Sequence, residues 1–536
     1  MKLTRTFISG LFFSLSASVA IADSNSHHTK THAQSPLGSV HFPISCTPAA
    51  QEQFNQAVAM LHSFWYSEAE KTFHQVTVTD PDCAMGYWGI AMSLYRQIWA
   101  TTPTPDEARR GRAAIEKARN LTIKSAREQA YLDAIATLYT ASNSNNSYDS
   151  RRRAYQQAME RIYQQYPDNE ATVFYALSLL SGASYNDKNF TKQKKALQLL
   201  QQVMKNEPQH PGVIHYIIHS TDYPGLAQLG LDAARTYARI APAVPHALHM
   251  PSHIFIRLGL WQETLQSNLA AYQIALDHDR QHGTSTNYWD ERIHFLDYLL
   301  YAYLQLGETE KAHAIVQQVL ATDNVQPQNT TTAYAYAAIP ARYAVERSNW
   351  QEAANLQIYP TDFPWQQFGW CEALTHFAKA IGAARTGDIV KADKHLKRLE
   401  VLRDLDRTAQ QDYYAEQIEI QRLAVAAWIA AAENRTNEAL QLMRASADLE
   451  DATEKDNVTP GAIIPARELL GEMLLMLKQP AAALEELEAS LKLTPDRRNA
   501  ILHAIQAAKE TGNQVNASHY EQQYRQLEVL VSRPSN

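Results

Sequence analysis

Two short stretches concentrate the side chains able to coordinate a metal or move a proton: His215-Tyr-Ile-Ile-His219-Ser-Thr-Asp222 and Pro245-His246-Ala-Leu-His249-Met-Pro-Ser-His253. On a helix turning about 100° per residue, His215, His219 and Asp222 fall at roughly 0°, 40° and −20°, one narrow stripe. His246, His249 and His253 fall at roughly 0°, −60° and −20°, a second stripe. A third helical segment offers His294 and Asp297, with Tyr301 one turn further on.

Imidazole nitrogen and carboxylate oxygen suit zinc, copper, iron or nickel. Two histidines four apart on one helix chelate a single ion, and ligands from the next helix close the shell. The spacing therefore points to His215, His219, His249 and His253 as the ligand set. Asp222, His246, His294 and Asp297 then hold tautomers and ring angles, or help to bind a second ion. The same side chains also fit a hydrogen-bonding floor for a peptide, and both readings stay open. A catalytic signature is missing. His-Tyr-Ile-Ile-His has Tyr216 where the protease motif H-E-x-x-H needs its glutamate, and no nucleophile elbow, P-loop or dinucleotide fingerprint is present. An enzyme reading requires a metal with an open position, as in a hydrolase or oxidoreductase, with Glu263, Tyr223, Tyr301 and Arg342 as acid–base or anion-holding groups.

The elements that carry these stripes are helices. From residue 50 onward helical patterns are broken by short turns such as Asp80-Pro81, Tyr166-Pro167-Asp168 and Glu207-Pro208, and no segment alternates with a period of two. The class is all-α. A small residue recurs a few positions after a turn, as in Trp65 to Ala69, Gly307 to Ala312, Trp350 to Ala353, Gly387 to Ala392 and Asn434 to Ala439. Ala483 and Ala517 lie about one 34-residue period apart, with Pro495 between them as Pro81 follows Ala69. This pattern resembles the tetratricopeptide repeat, and about eight to ten such hairpins would cover the mature chain as a right-handed solenoid. The resemblance implies a concave groove, lined by set places on the first helix of each hairpin. Counted from the repeat landmarks, His215, His219, Asp222, His246, His249, His253, His294 and Asp297 take such places, as do Arg257, Tyr301 and Arg342. Pro251 interrupts the second stripe and either kinks its helix or starts it afresh. On this reading the chain is a binding module, with a protein or peptide partner in the groove and a Zn, Cu or Fe site as its cofactor.

The N-terminus has a charged start, an apolar run from Phe7 to Val19, and Ala20-Ile21-Ala22, which together predict a signal peptide cleaved after Ala22 and a periplasmic or secreted protein. In that compartment Cys46 and Cys83 are predicted to pair, leaving Cys371 as a buried thiol. A formal net charge of −7 provides no basic face for nucleic acid, and no later segment is apolar enough to span a bilayer. The expected organisation is a signal peptide at 1–22, a disordered leader at 23–45, and repeats at 46–140, 151–320 (with the His-rich groove) and 321–536. Flexible loops are expected at 140–150 and from Asp448 to Thr459.

Overall fold

Nine turns between consecutive helices are built alike. Phe64, Gly259, Gly307, Ser348, Gly387, Gln410, Asn434, Lys478 and Gly512 all have positive φ, between 51° and 83°. Each lies five residues before a buried small residue: Ala69, Thr264, Ala312, Ala353, Ala392, Ala415, Ala439, Ala483 and Ala517. The amide after each left-handed residue returns to a carbonyl five positions back, as in Trp65 to Met60 (3.0 Å), Glu308 to Tyr303 (2.8 Å) and Asn513 to Ala508 (2.9 Å). This bond satisfies a carbonyl that the ending helix leaves without a partner, and it reverses the chain within a few residues. The small residue then lets the second helix lie close against the first.

The computed structural model describes residues 36–95, 103–123, 125–140, 147–283 and 288–532. Within them 25 α-helices run from Pro48–His62 to Gln514–Ser532, and successive helices pair into hairpins that stack as an α-solenoid. The one sheet among the described residues is a two-residue parallel pairing of Tyr288–Trp289 with Val325–Gln326. No described helix is long and apolar enough to cross a membrane. The predicted signal peptide, residues 23–35 of the predicted leader and residues 141–146 of the predicted loop lie outside the described residues.

The rest of the leader departs from expectation. Residues 36–45 are not a loose tail: Phe42 is fully buried among Phe54, Trp88, Tyr131 and Phe174, with ring centroids 5.1 to 6.2 Å away. An aromatic ring of that size returns about 1.5–3 kcal/mol on burial, enough to order a short segment. Cys46, next to the first helix, is disulfide-bonded to Cys83, the residue before the Ala84–Leu94 helix, and the bond spans 37 residues. Replacing both cysteines with serine is expected to lower the unfolding free energy by about 2–4 kcal/mol through loop entropy in the unfolded chain. Comparing denaturant midpoints of the variant and the oxidised protein checks this.

The second departure lies at Asp448–Thr459. The Thr436–Ala452 helix extends through the first part of this stretch, and residues 453–462 form a strap that contacts Asp222 and Arg342. Glu454, Asp456 and Thr459 are buried because partners meet them: Lys188 Nζ donates to Glu454 (2.7 Å), the Tyr185 hydroxyl donates to Asp456 (3.2 Å), and the Tyr334 hydroxyl lies 2.6 Å from Thr459 Oγ1. The last hairpins also return to the middle of the chain. Trp261 Nε1 donates to the Asp496 carbonyl (2.7 Å) and Asn499 donates to the Glu346 carbonyl (2.7 Å).

Candidate metal centre

Four helices bring their histidines together. Pro211 at the first helical position and His210 before it, whose Nδ1 accepts from the Val213 amide (3.2 Å), start the Pro211–Thr221 helix. All of its residues are buried. Pro245 starts a short helix to His249, and Pro251 starts the next, to Arg257. Met250 between them keeps helical dihedrals (φ −51°, ψ −35°), so the stripe survives the restart that Pro251 imposes. The Asp290–Leu306 helix, wholly buried, supplies His294 and Tyr298.

The histidines form two groups of three. His215, His219 and His246 are one, and His249, His253 and His294 the other; in each, ring nitrogens lie within 4.8 Å of one another. The spacing set His215, His219, His249 and His253 together, with His246 and His294 in support or at a second ion; in the structure each pair groups with one of those two rings. Each pair four apart closes on itself, with Nε2 atoms 3.1 Å apart in both cases, and takes its third ring from a neighbouring helix. His246 and His294, expected to hold tautomers or to help bind a second ion, each complete one group of three. The groups are neighbours: the His219 and His253 rings are 6.0 Å apart, as are those of His246 and His249. A tetrahedral ion with bonds of about 2.0–2.1 Å separates its nitrogens by about 3.3 Å, close to the observed pairs.

Asp222 and the remaining predicted residues are placed differently. Asp222 accepts from His253 Nδ1 (3.0 Å), Arg257 Nε (2.9 Å) and Lys455 Nζ (2.8 Å). Burial opposes its charge, but Lys455, Arg257 and His253 together hold its carboxyl well below the usual range. Asp222 therefore buttresses a histidine and anchors the strap. Asp297 does not reach the imidazoles. It faces Arg342, with Nε 3.7 Å from Oδ1, and burial pushes its carboxyl up to about 6 against the pull of Arg342. Arg342 also donates to the Ala462 and Gly461 carbonyls (2.5 and 3.1 Å), and the Tyr301 hydroxyl accepts from Arg497 (2.7 Å). Arg257, Tyr301 and Arg342, expected to meet a groove ligand, thus serve the strap and the returning C-terminal hairpins. Glu263 lies at the surface, paired with Arg235 (3.0 Å), and Tyr223 accepts from Gln193 (3.1 Å).

A third buried group, His62, Glu170 and His210, went unread in the sequence because its members lie 40 and 108 residues apart and share no motif. Neutral tautomers satisfy it completely. Each Nε2 donates to Glu170 at 2.9 Å, His62 Nδ1 accepts from the Tyr216 hydroxyl (3.0 Å), and His210 Nδ1 accepts from Val213. Burial opposes the charge of Glu170, yet His210 and His62 lower its carboxyl to about 2. This group needs no ion. It also fixes the first metal-type group, because the His62 carbonyl accepts from His215 Nδ1 (2.7 Å).

The fold and the site thus define an α-solenoid with a buried six-histidine centre. No family model matches the chain, and no curated protein matches it. Among solved structures, it is similar to human IFIT1 in its dimer with m7Gppp-AAAA, with a TM-score of 0.40, 11% identity, and 84% of this chain and 90% of that chain covered. It is also similar to the APC/C heterotetramer Cut9-Hcn1, with a TM-score of 0.35, 12% identity, and 90% and 87% covered. At these scores neither likeness bears on what the chain binds.

Proposed function

We propose that this is an exported helical-repeat protein whose buried centre binds two divalent transition-metal ions, one in each group of three histidines. The observation that carries this reading is the acceptor that faces Nδ1 of both His249 and His253. Asn268 donates its Nδ2 to the Thr264 carbonyl (2.8 Å), so its Oδ1 is the atom 2.6 Å from His249 Nδ1. His249 must then carry its proton on Nδ1. His253 must do the same, because its Nδ1 faces the ionised Asp222. Burial and the neighbouring imidazoles hold His249 well below its ordinary value, and burial lowers His253 to about 4, so neither ring takes a second proton at neutral pH. Two Nε2 lone pairs therefore oppose each other at 3.1 Å. The Tyr298 hydroxyl is nearly equidistant from both nitrogens of His253 (3.4 and 3.3 Å), off either lone-pair axis. A cation shared by the two Nε2 atoms removes the conflict, and backing each ligand with an acceptor is how metal-binding histidines are held.

The all-imidazole set favours zinc or copper over magnesium or calcium, which take oxygen. The Cys46–Cys83 bond supports export, since such bonds persist in oxidising compartments. A peptide on this floor is disfavoured, because residues 453–462 already lie over Asp222 and Arg342. The test is a pair of substitutions at a residue that touches no ion. Asn268→Leu removes the acceptor behind His249 and is expected to weaken Zn²⁺ or Cu²⁺ binding about 10–100-fold, whereas Asn268→Asp keeps it. Equal affinities for Asn268→Leu and the unaltered protein, read by chelator competition, contradict the reading.

A further inference from the structure

The proposed centre leaves one coordination place open on each ion. Resting on that two-ion reading, each group supplies three imidazoles, and zinc or copper on such a set takes a fourth ligand. The nearby carboxylates do not provide it. Asp222 is engaged by Arg257 and Lys455, Asp297 faces Arg342, and Glu291 lies 3.4 Å from His246 Nδ1, outside the group of three. Two divalent ions also bring four positive charges among neutral rings, and Glu291 alone does not balance them. A buried charge is costly without a counter-charge, so the missing ligand is an anion.

Tyr298 marks where it sits. The residue is fully buried, and its ring lies against those of His249, His253 and His294, with centroids 4.7, 5.2 and 4.9 Å away. Burial pushes its phenol far up, so it is a neutral donor. The nitrogens it nears are the two of His253, and neither accepts once an ion is bound. Nδ1 gives its proton to Asp222, and the Nε2 lone pair is turned to the ion. A buried donor left in this way needs an acceptor beside the second ion. The first ion is within reach of the same ligand. The His219 and His253 rings stand 6.0 Å apart between the groups, against 4.8 and 5.0 Å for the pairs four apart within them, so the wider gap lies between the ions. Paired ions that clamp one substrate or solvent atom lie about 3.5–4 Å apart. Six imidazoles and a phenol ring crowd this space and limit the ligand to a few atoms.

We infer that one small anion, hydroxide in water, bridges the two ions and accepts from the Tyr298 hydroxyl. The test uses the full chain loaded with Cu²⁺, its copper content measured first, and azide as the probe anion. The azide-to-copper charge-transfer absorption is expected to saturate at one azide per two coppers. The paramagnetic resonance of the pair is expected to integrate to well under its copper content, because a bridge couples the two spins. Tyr298→Phe, which keeps the ring, is expected to hold both coppers and to bind azide at least about ten-fold more weakly, the loss of one hydrogen bond to a charged acceptor. Two coppers held without azide absorption, saturation at two azides per chain, a resonance that accounts for both coppers, or an unchanged azide affinity in Tyr298→Phe overturns the inference and leaves the two-ion reading standing. Failure to hold copper overturns that reading and the inference with it.

Discussion

His253→Ala is expected to lose the ion held by His249, His253 and His294 while keeping the other, with affinity at the damaged group falling about 1,000-fold or more. The size follows from chelation: zinc bound to a structural site is worth about 10–16 kcal/mol, so each ligand carries several. The energetic signature is conditional. With a chelator present, the variant and the unaltered protein are expected to unfold within about 2 kcal/mol of each other. The variant loses ring volume, but it no longer sets two lone pairs against each other, and Asp222 keeps Arg257 and Lys455. With Zn²⁺ at about 100 times its dissociation constant, the unaltered protein gains about 2.7 kcal/mol per site, and the variant gains that from one site only. Thermal unfolding of both proteins, with Zn²⁺ and with chelator, separates this pattern from a purely structural cluster, which would show the same loss in either condition. His62→Ala provides the contrast. It breaks the ion-free network around Glu170 and is expected to destabilise with or without metal.

The second large effect lies at Arg497, where the chain closes on itself. Arg497 is fully buried and joins Glu468 (2.6 Å), Glu346 (2.8 Å) and the Tyr301 hydroxyl (2.7 Å). Those partners come from three different hairpins, so one guanidinium ties the last repeats to the middle of the solenoid. Arg497→Met fills much of the space but leaves two buried carboxylates without a cation. The expected cost is about 3–5 kcal/mol, because the penalty is the uncompensated charge rather than the lost pair. Arg497→Met combined with Glu468→Gln removes one of the stranded charges and is expected to recover part of the loss. Denaturant midpoints measure both. If Arg497→Met is neutral, the buried pairing does not hold the closure.

The hairpins were legible because their turns carry a local signal. A small residue follows each turn, and where the left-handed residue is glycine, as at Gly307 and Gly387, that position is also readable. Phe64, Ser348 and Lys478 adopt the same conformation without any residue-type signal, since the hairpin imposes it on side chains that would otherwise avoid it. The histidine stripes were legible for the same local reason: spacings of three and four place side chains on one face. Whether six imidazoles serve one ion or two depends on how neighbouring helices cross, which spacing does not encode. Thus His246 and His294 were set to hold tautomers or to help bind a second ion, and Asp297 was given to the centre although Arg342 holds it. The strap failed for another reason. An acidic, Pro-Gly-terminated stretch reads as solvated, and only the distant Lys188, Tyr185 and Tyr334 make its burial favourable.

The central claim is that opposed imidazole nitrogens in this centre share cations. Its most direct measurement is metal content by mass spectrometry, on protein purified without a histidine tag or chelating resin and then equilibrated with Zn²⁺ or Cu²⁺ and dialysed. The account predicts two tightly held ions per chain, with the ion at His249 and His253 lost on His253→Ala. Protein that retains no metal after equilibration, or retains the same amount in that variant, contradicts it.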